Sequence, residues 1–217
     1  MTSSPLLADE AQAREWIMSL DECEPGKLAK LDRLTDLLVT ENGRQNLVAA
    51  ASLPAIWLRH YADSAQLLRF VPRETADWLD LGSGAGFPGL VVAVLRPECR
   101  VTLVESRSRR YQWLFGACEA LGLGNVAVIG TKLEMVTDQT FAAISARAFA
   151  PLDKLLRLSA RFSTADTRWV LPKGRSAQQE LHTLSGWQHR FHVEQSLTDP
   201  DAGVIVGELI KSKGRRA

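Results

Sequence analysis

The residues best suited to chemistry lie between Leu79 and Gly89. The run reads Leu79-Asp80-Leu81-Gly82-Ser83-Gly84-Ala85-Gly86-Phe87-Pro88-Gly89, with four glycines in eight residues. Glycines at that density let a backbone turn sharply and approach a ligand with no Cβ in the way. A helix beginning beyond them turns its free N–H groups and positive dipole end toward the same ligand. A tight strand-to-helix turn without a ligand is the plain alternative, and it gives no reason for so many glycines. Glu105 closes the apolar run Val101-Thr102-Leu103-Val104. A carboxylate there can accept both ribose hydroxyls of a nucleoside cofactor. Leu133 and Glu134 could flank an adenine ring and its amine, although a surface helix start explains them nearly as well.

Cationic side chains form the second group. Arg147, in Ser145-Ala146-Arg147-Ala148-Phe149, is expected at the carboxyl end of a strand. It could hold a cofactor carboxylate or donate to a nucleobase edge, a surface ion pair being its ordinary role. Lys173, in Leu171-Pro172-Lys173-Gly174, falls at the same sheet edge and reads as a phosphate contact or an exposed loop lysine. Arg107, Arg109 and Arg110 crowd the loop after the second strand, where they read as RNA-phosphate ligands or as a solvated loop. Arg59, His60, Asp63 and Ser64 share one helix, with His60 and Ser64, and Arg59 and Asp63, as i,i+4 neighbours. They either satisfy one another where that helix meets the main domain or help to shape a substrate site. Phe149 could stack on a base, a core aromatic being its ordinary role.

Two cofactors compete for the glycine loop. Gly84-x-Gly86-x-x-Gly89 fits the dinucleotide fingerprint, with Glu105 at a suitable distance. Asp80-x-Gly82-x-Gly84-x-Gly86 places an acid and three alternate glycines directly at the end of a strand, which is similar to Rossmann-type S-adenosylmethionine-dependent methyltransferases. The dinucleotide register must accommodate two extra residues before its turn, and Pro88 then crowds the phosphate.

Apolar periodicity gives the elements that carry these groups. The first ~75 residues read as helical, with Leu28, Leu31, Leu34, Leu37 and Leu38 at helical spacing. Thr40-Glu41-Asn42-Gly43 looks like a helix end at which Gly43 takes φ > 0. A second helix is expected from Ser52 as N-cap to Phe70, closed by Pro72. From there strands and helices alternate. Strands are expected at Trp78–Leu81, Val101–Glu105, Val126–Ile129, Ala142–Ser145 and Trp169–Leu171. Helices are expected at Pro88–Leu95, Arg109–Leu121, Leu152–Ala160 and Ser176–Leu184. Arg190–Leu197 and Gly203–Ile210 read as an antiparallel pair. The fold class is therefore α/β: a mostly parallel Rossmann-like sheet with helices on both faces and an N-terminal helical extension. The division falls into an extension of residues 1–75 and a sheet domain of residues 76–217.

The bulk properties narrow the function classes. The chain has 217 residues, 46% hydrophobic and 24% charged, the balance of a globular protein and not of a fibrous or disordered one. A formal net charge of +1 argues against an indiscriminate nucleic-acid coat protein. The charge is uneven: residues 1–72 carry 7 basic and 10 acidic side chains, and residues 73–217 carry 19 and 15. Cys23, Cys99 and Cys118 are odd in number and far apart, so no zinc or redox pair is expected and reduced buried thiols are. Met1–Pro5 has no signal-peptide pattern, and the apolar run Leu90–Leu95 is far short of a bilayer span. A cytoplasmic protein without membrane or metal partners is the expectation. The basic tail of Lys211, Lys213, Arg215 and Arg216 reads as a frayed end.

From about Leu28 to Leu209 the chain resembles the RsmG (GidB) family of bacterial ribosomal RNA small-subunit methyltransferases. The resemblance rests on Gln45-Asn46-Leu47-Val48, Arg59-His60-Tyr61-Ala62-Asp63-Ser64, the block Gly82 to Gly89, Ser145-Ala146-Arg147-Ala148-Phe149-Ala150 and Pro172-Lys173-Gly174. It implies a Rossmann-like class I methyltransferase that moves a methyl group from S-adenosyl-L-methionine to N7 of one guanine in 16S ribosomal RNA. By position, Gly82, Phe87, Leu133, Glu134 and Arg147 would then contact the cofactor, with Gly84, Gly86 and Glu105 shaping its pocket. Arg147 is the expected catalytic residue, and the substrate is free 16S RNA or the small ribosomal subunit. Guanine N7 carries a lone pair and no proton, so its methylation needs no general base. The chain accordingly lacks a Pro-Pro-Tyr-type loop for exocyclic amines and a Pro-Cys nucleophile for pyrimidine carbon. Two other classes stay open at this point: an NAD-dependent oxidoreductase using the same loop, and an RNA-binding module with a degenerate pocket.

Overall fold

The computed structural model describes residues 6–211, so the expectations for Met1–Pro5 and for Lys213, Arg215 and Arg216 lie outside the described residues. Glu10–Met18 (α1) starts at Asp9, whose carboxylate accepts the Gln12 N–H. Pro25–Asn42 (α2) buries Leu31, Leu34 and Leu38 along one stripe. Gly43 has φ −69 and not the expected left-handed conformation. Asn42 removes the need for it: its Oδ1 accepts the N–H groups of Leu47 and Val48, both at 2.9 Å, and so builds the turn from a side chain.

The regular helix expected from Ser52 to Phe70 is instead a chain of short helical pitches. It passes through a 3₁₀ segment at Ala50–Ala55, π turns at Trp57–Ala62, one α turn at Asp63–Ala65 (α3) and a 3₁₀ segment at Gln66–Phe70. Ser52 caps nothing; its Oγ donates to the Ala49 carbonyl and meets His60 Nε2. The wide turn has an identifiable cause. Glu10 of α1 accepts the N–H groups of Trp57 and Leu58, both at 3.0 Å, and so satisfies them from outside the helical ladder.

Beyond residue 75 the elements follow the expected order. Asp77–Leu81 (β1), Gly89–Leu95 (α4), Arg100–Val104 (β2), Ser108–Leu121 (α5), Val126–Ile129 (β3), Ala143–Ser145 (β4), Leu152–Ser159 (α6), Arg168–Gly174 (β5) and Ala177–Thr183 (α7) alternate along the chain. Gln188–His189 (β6), His192–Gln195 (β7) and Gly203–Lys211 (β8) complete it. Strands β3-β2-β1-β4-β5 are parallel in that spatial order, and β8 adds antiparallel to β5. The strand expected at Arg190–Leu197 is His192–Gln195, and a further short strand ahead of it, Gln188–His189, also pairs with β8. The break falls opposite Gly207 (φ +145), where any Cβ would run into the Arg190 carbonyl.

Side chains of the sheet alternate between two apolar layers. Trp78, Leu103 and Val170 pack with α1, α2, the segment 57–70, α4 and α5 on one face. Leu79, Ile144 and Trp169 pack with α6 and α7 on the other. Polar ties fix the segment to both sides of the sheet domain. Buried Arg96, just past α4, donates to the carbonyls of Leu68, Val71 and Pro72 and to Glu22. The turn between β7 and β8 reaches back from the far end: Leu7 N–H donates to the Leu197 carbonyl, Leu197 N–H to Gln66 Oε1 and Thr198 Oγ1 to Asp63. Cys99 and Cys118 are buried free thiols, pushed up to about 11 by burial, and Cys23 is a half-buried one. Among the described residues no helix is long and apolar enough to cross a membrane, and no cluster of metal-ligating side chains occurs.

Candidate active site

The glycine loop leaves β1 with Gly82, Gly84 and Gly86 at φ +64, +57 and +103, all in the region that L side chains rarely adopt. Gly82 has a second constraint, because a Cβ there would stand 2.5 Å from Phe149 Cδ2. Surrounding groups grip the loop. Ser83 N–H donates to the Val104 carbonyl, and Trp113 Nε1–H to the Ala85 carbonyl at 3.0 Å. Glu105, only 6% exposed, accepts Gly84 N–H at 3.0 Å and Arg107 N–H at 2.8 Å. Its carboxylate therefore braces the loops after β1 and β2 and retains lone pairs for a ligand hydroxyl.

Gly82, Glu105, Leu133 and Glu134 line one cavity of about 420 Å³, together with Arg107, Arg110 and Phe149. This is the size of an ordinary cofactor pocket. The other expected cofactor residues stand elsewhere. Gly86 lets the loop pack on Leu90 and Leu114. Phe87 is buried, follows its loop into a cis peptide with Pro88, and turns toward the N-terminal segment. There its ring stacks on His60 at 5.0 Å and 14°.

Arg147 lies beyond the same wall. It lines a second cavity of about 600 Å³ with Arg59, Asp63, Lys173, Thr198 and Asp199. Ala148 and Phe149 line both cavities, so the turn after β4 is the partition between them. Ala148 holds φ +53, a left-handed conformation costing a non-glycine residue about 1 kcal/mol. One amino group of Arg147 faces His60 Nδ1 at 3.2 Å, Asp63 Oδ2 at 3.4 Å and the Arg59 carbonyl at 3.5 Å. The guanidinium sits 5.1 Å over the Phe87 ring.

His60 is therefore boxed in by cations. Burial, then Arg147 and Arg59, push its pKa down to about 3. The neutral ring accepts from Arg147 at Nδ1 and donates from Nε2 to Ser52 Oγ at 2.8 Å. Below its ordinary 6.5 the unfolded chain binds a proton that folded His60 does not. Stability consequently declines as pH drops from 6.5 toward 3, and His60→Asn flattens that decline. Calorimetric melting temperatures of both proteins between pH 7 and 4 check this; parallel curves would count against it.

Lys173 lines the second cavity and is not the exposed loop lysine of the ordinary reading. Its side chain is only 7% exposed, donates to the Ala150 carbonyl at 2.5 Å and pairs with Glu180 at 2.9 Å. Glu180 also accepts from Ser176 Oγ and Leu152 N–H. Arg107 and Arg109 are exposed, Arg110 is half-buried, and none of the three is in an ion pair among the described residues. Arg109 points away from the cofactor-sized pocket and lines a groove between α2 and α5. Two features had no local signal. Trp78 Nε1–H donates to Ser145 Oγ, which donates to fully buried Asp80 at 2.7 Å. The other Asp80 oxygen has no partner, and burial raises that carboxyl's pKa. Thr198 and Asp199 enter the second cavity from a turn far along the chain.

The family model of GidB, rRNA small subunit methyltransferase G, matches residues 27–197. The chain belongs to that family. Ribosomal RNA small subunit methyltransferase G of Novosphingobium aromaticivorans is 55% identical over 211 residues, covering 95% of this chain and 91% of its own. That of Erythrobacter litoralis is 55% identical over 203 residues, covering 93% and 97%. Solved structures share the fold at low identity. A variant of MtNAS in complex with S-adenosylmethionine superposes with TM-score 0.55 at 14% identity, over 93% of this chain and 77% of that one. A SAM dependent methyltransferase from Aquifex aeolicus gives 0.53 at 14%, over 68% and 90%. As a member of the rRNA small subunit methyltransferase G family, the chain is an S-adenosylmethionine-dependent rRNA methyltransferase. The nicotinamide reading of its glycine loop finds no support.

Proposed function

We propose that this enzyme methylates N7 of a guanine in 16S ribosomal RNA, within free RNA or the small ribosomal subunit, in the cytoplasm. The observation that carries the reading is the pair of cavities divided by Ala148 and Phe149. One suits a nucleoside cofactor and the other a nucleobase beside it. Glu105 would take the ribose hydroxyls, Leu133 and Glu134 the adenine, and Gly82 the close approach of the backbone. Bound S-adenosylmethionine supplies a sulfonium methyl group. The protein's own part is alignment and exclusion of water. Arg147 sits at the partition, and the segment before residue 75 roofs the base cavity with Arg59 and Asp63.

Incubating small subunits with methyl-labelled S-adenosylmethionine and mapping the product tests the reading. The expected product is 7-methylguanine in 16S RNA; methylation of an exocyclic amine, a carbon or a ribose overturns it.

Arg107 and Arg110 are proposed as phosphate ligands at the rim of the smaller cavity, and Arg109 as one on the neighbouring groove between α2 and α5. Replacing all three with Ala should lower the slope of log affinity against log salt by about 2 for single-stranded RNA. Filter binding from low to high salt measures it, and an unchanged slope removes these residues from the RNA surface.

A further inference from the structure

We propose that the RNA strand, leaving the larger cavity, lies across the mouth of the smaller one and closes it over the bound cofactor, an inference that rests on the methyl-transfer reading above. The two cavities differ in how their cations are held. In the larger one each lining cation stands beside a lining carboxylate: Arg59 with Asp199 at 3.6 Å, Arg147 with Asp63 at 3.4 Å and Lys173 with Glu180 at 2.9 Å. The smaller one is lined by Arg107, Arg110 and Lys132, and none of these is in an ion pair among the described residues. Its carboxylates do not neutralise them. Glu105 turns inward to the N–H groups of Gly84 and Arg107, and Glu134 pairs with no cation among the described residues.

Burial separates the floor of the smaller cavity from its mouth. Glu105 and Leu133 are buried, Arg110 is half-buried, and Arg107 and Lys132 are exposed. The cations therefore ring the opening. Arg110 also reaches over the glycine loop, where a Cβ on Gly84 would stand 3.4 Å from its Nη1. Only the turn at Ala148 and Phe149 parts this opening from the larger cavity. A nucleotide whose base enters the larger cavity keeps its phosphates outside, and the strand must run on to one side or the other. On the far side Arg175, between Gly174 and Ser176 of the lining, is already paired with Asp201 at 2.8 Å. On the near side three cations have no carboxylate partner. Phosphates bind where cations exchange only small counterions for them, so the strand is drawn across the cofactor cavity. A strand lying there is a cover: the cofactor enters before the RNA, and the spent cofactor leaves after it. A cover slows entry and exit alike, whereas an energetic coupling between two ligands needs to slow exit alone.

Rates of cofactor exchange test this without any methyl transfer. The probe is labelled S-adenosylhomocysteine, which lacks the sulfonium methyl group, and the RNA is supplied as small ribosomal subunits from cells without the enzyme. Association and dissociation of the probe are followed on the full chain, alone and with saturating subunits. Both rates should fall by about 10-fold or more on the subunit, with the equilibrium affinity moving by less than about 3-fold. In a variant combining Arg107→Ala, Arg110→Ala and Lys132→Ala, again at saturating subunits, the slowing should vanish. Its rates without subunits should stay within about 3-fold of wild type. Arg175→Ala, which removes the paired cation on the far side, should keep the full slowing.

Probe rates unaltered by subunits, slowing of exit alone, or full slowing in the triple variant would each overturn the proposal. Should the triple variant fail to fold, Lys132→Glu at its exposed position carries the comparison, and full slowing there counts in the same way. The wild-type product map judges the methyl-transfer reading by itself. An enzyme that makes 7-methylguanine yet exchanges S-adenosylhomocysteine freely on the subunit defeats only this inference.

Discussion

Replacing Arg96 with Met should lower the melting temperature by about 10 °C, the largest stability effect expected of any single side chain here. The Arg96 side chain is 5% exposed and donates to three backbone carbonyls, Leu68, Val71 and Pro72, at 2.9, 3.1 and 2.8 Å, and to Glu22 at 3.2 Å. Those carbonyls close the last 3₁₀ turn before the sheet; Leu68 and Pro72 also accept from the N–H groups of Val71 and Thr75 at 3.4 and 3.2 Å, and the Val71 carbonyl has Arg96 as its donor. Truncating one partner of a buried charged network typically costs about 3–5 kcal/mol, here because the Glu22 carboxylate loses its counter-charge and the Val71 carbonyl its donor. For a chain of this size each kcal/mol moves the midpoint by about 2–4 °C. Arg96→Lys should rescue little, since one ammonium cannot span a fork of four acceptors. Scanning calorimetry of both variants decides the matter; a Met variant melting within 2 °C of wild type would show that the segment closes without this arginine.

Glu105→Ala should weaken S-adenosylmethionine binding by about 100-fold or more, equivalent to about 3 kcal/mol. Two losses combine. The proposed ribose acceptor disappears, and the N–H groups of Gly84 and Arg107 lose the carboxylate that holds their loops in register. Glu105→Gln keeps one carbonyl acceptor and should lose about 10-fold. Titration calorimetry gives both values. Unchanged affinity in the Ala variant would show that neither the ribose contact nor the bracing by Glu105 contributes to binding.

Much of the sheet domain was legible because its signals are local. Val126–Ile129 occupies the residues expected of it, and Asp77–Leu81, Arg100–Val104 and Gly89–Leu95 lie within a residue of expectation. Short apolar runs bounded by glycine or proline leave little choice in a two-faced parallel sheet. The segment 50–70 was not legible. Its pitch is set by Glu10, some forty residues upstream, which no periodicity around Trp57 encodes. Gly43 misled for a similar reason, since Asn42 performs the turn that a left-handed glycine usually makes.

At the site, Gly82, Glu105, Leu133 and Glu134 were found together because motif spacing carries them to strand ends. The ion pair of Lys173 was not legible because its partner Glu180 lies one helical element further on, and a lysine looks the same in sequence whether solvated or paired. The grouping of His60, Asp63 and Arg147 came from tertiary packing, as did the entry of Asp199 into the base cavity.

The latch between the N-terminal segment and the turn after β7 also imposes an order in time. Leu197 N–H and Gln66 Oε1 are 131 residues apart in the chain. At ~5–20 residues per second, translation separates them by about ten seconds. The wall of the smaller cavity, from Gly82 to Phe149, has left the ribosome before Leu197 is made. The larger cavity has no complete roof until the turn holding Thr198 meets Asp63. A nascent chain can therefore assemble its nucleoside pocket first and its base pocket last. The roof of the base pocket is therefore tied to a turn made long after every residue it closes upon.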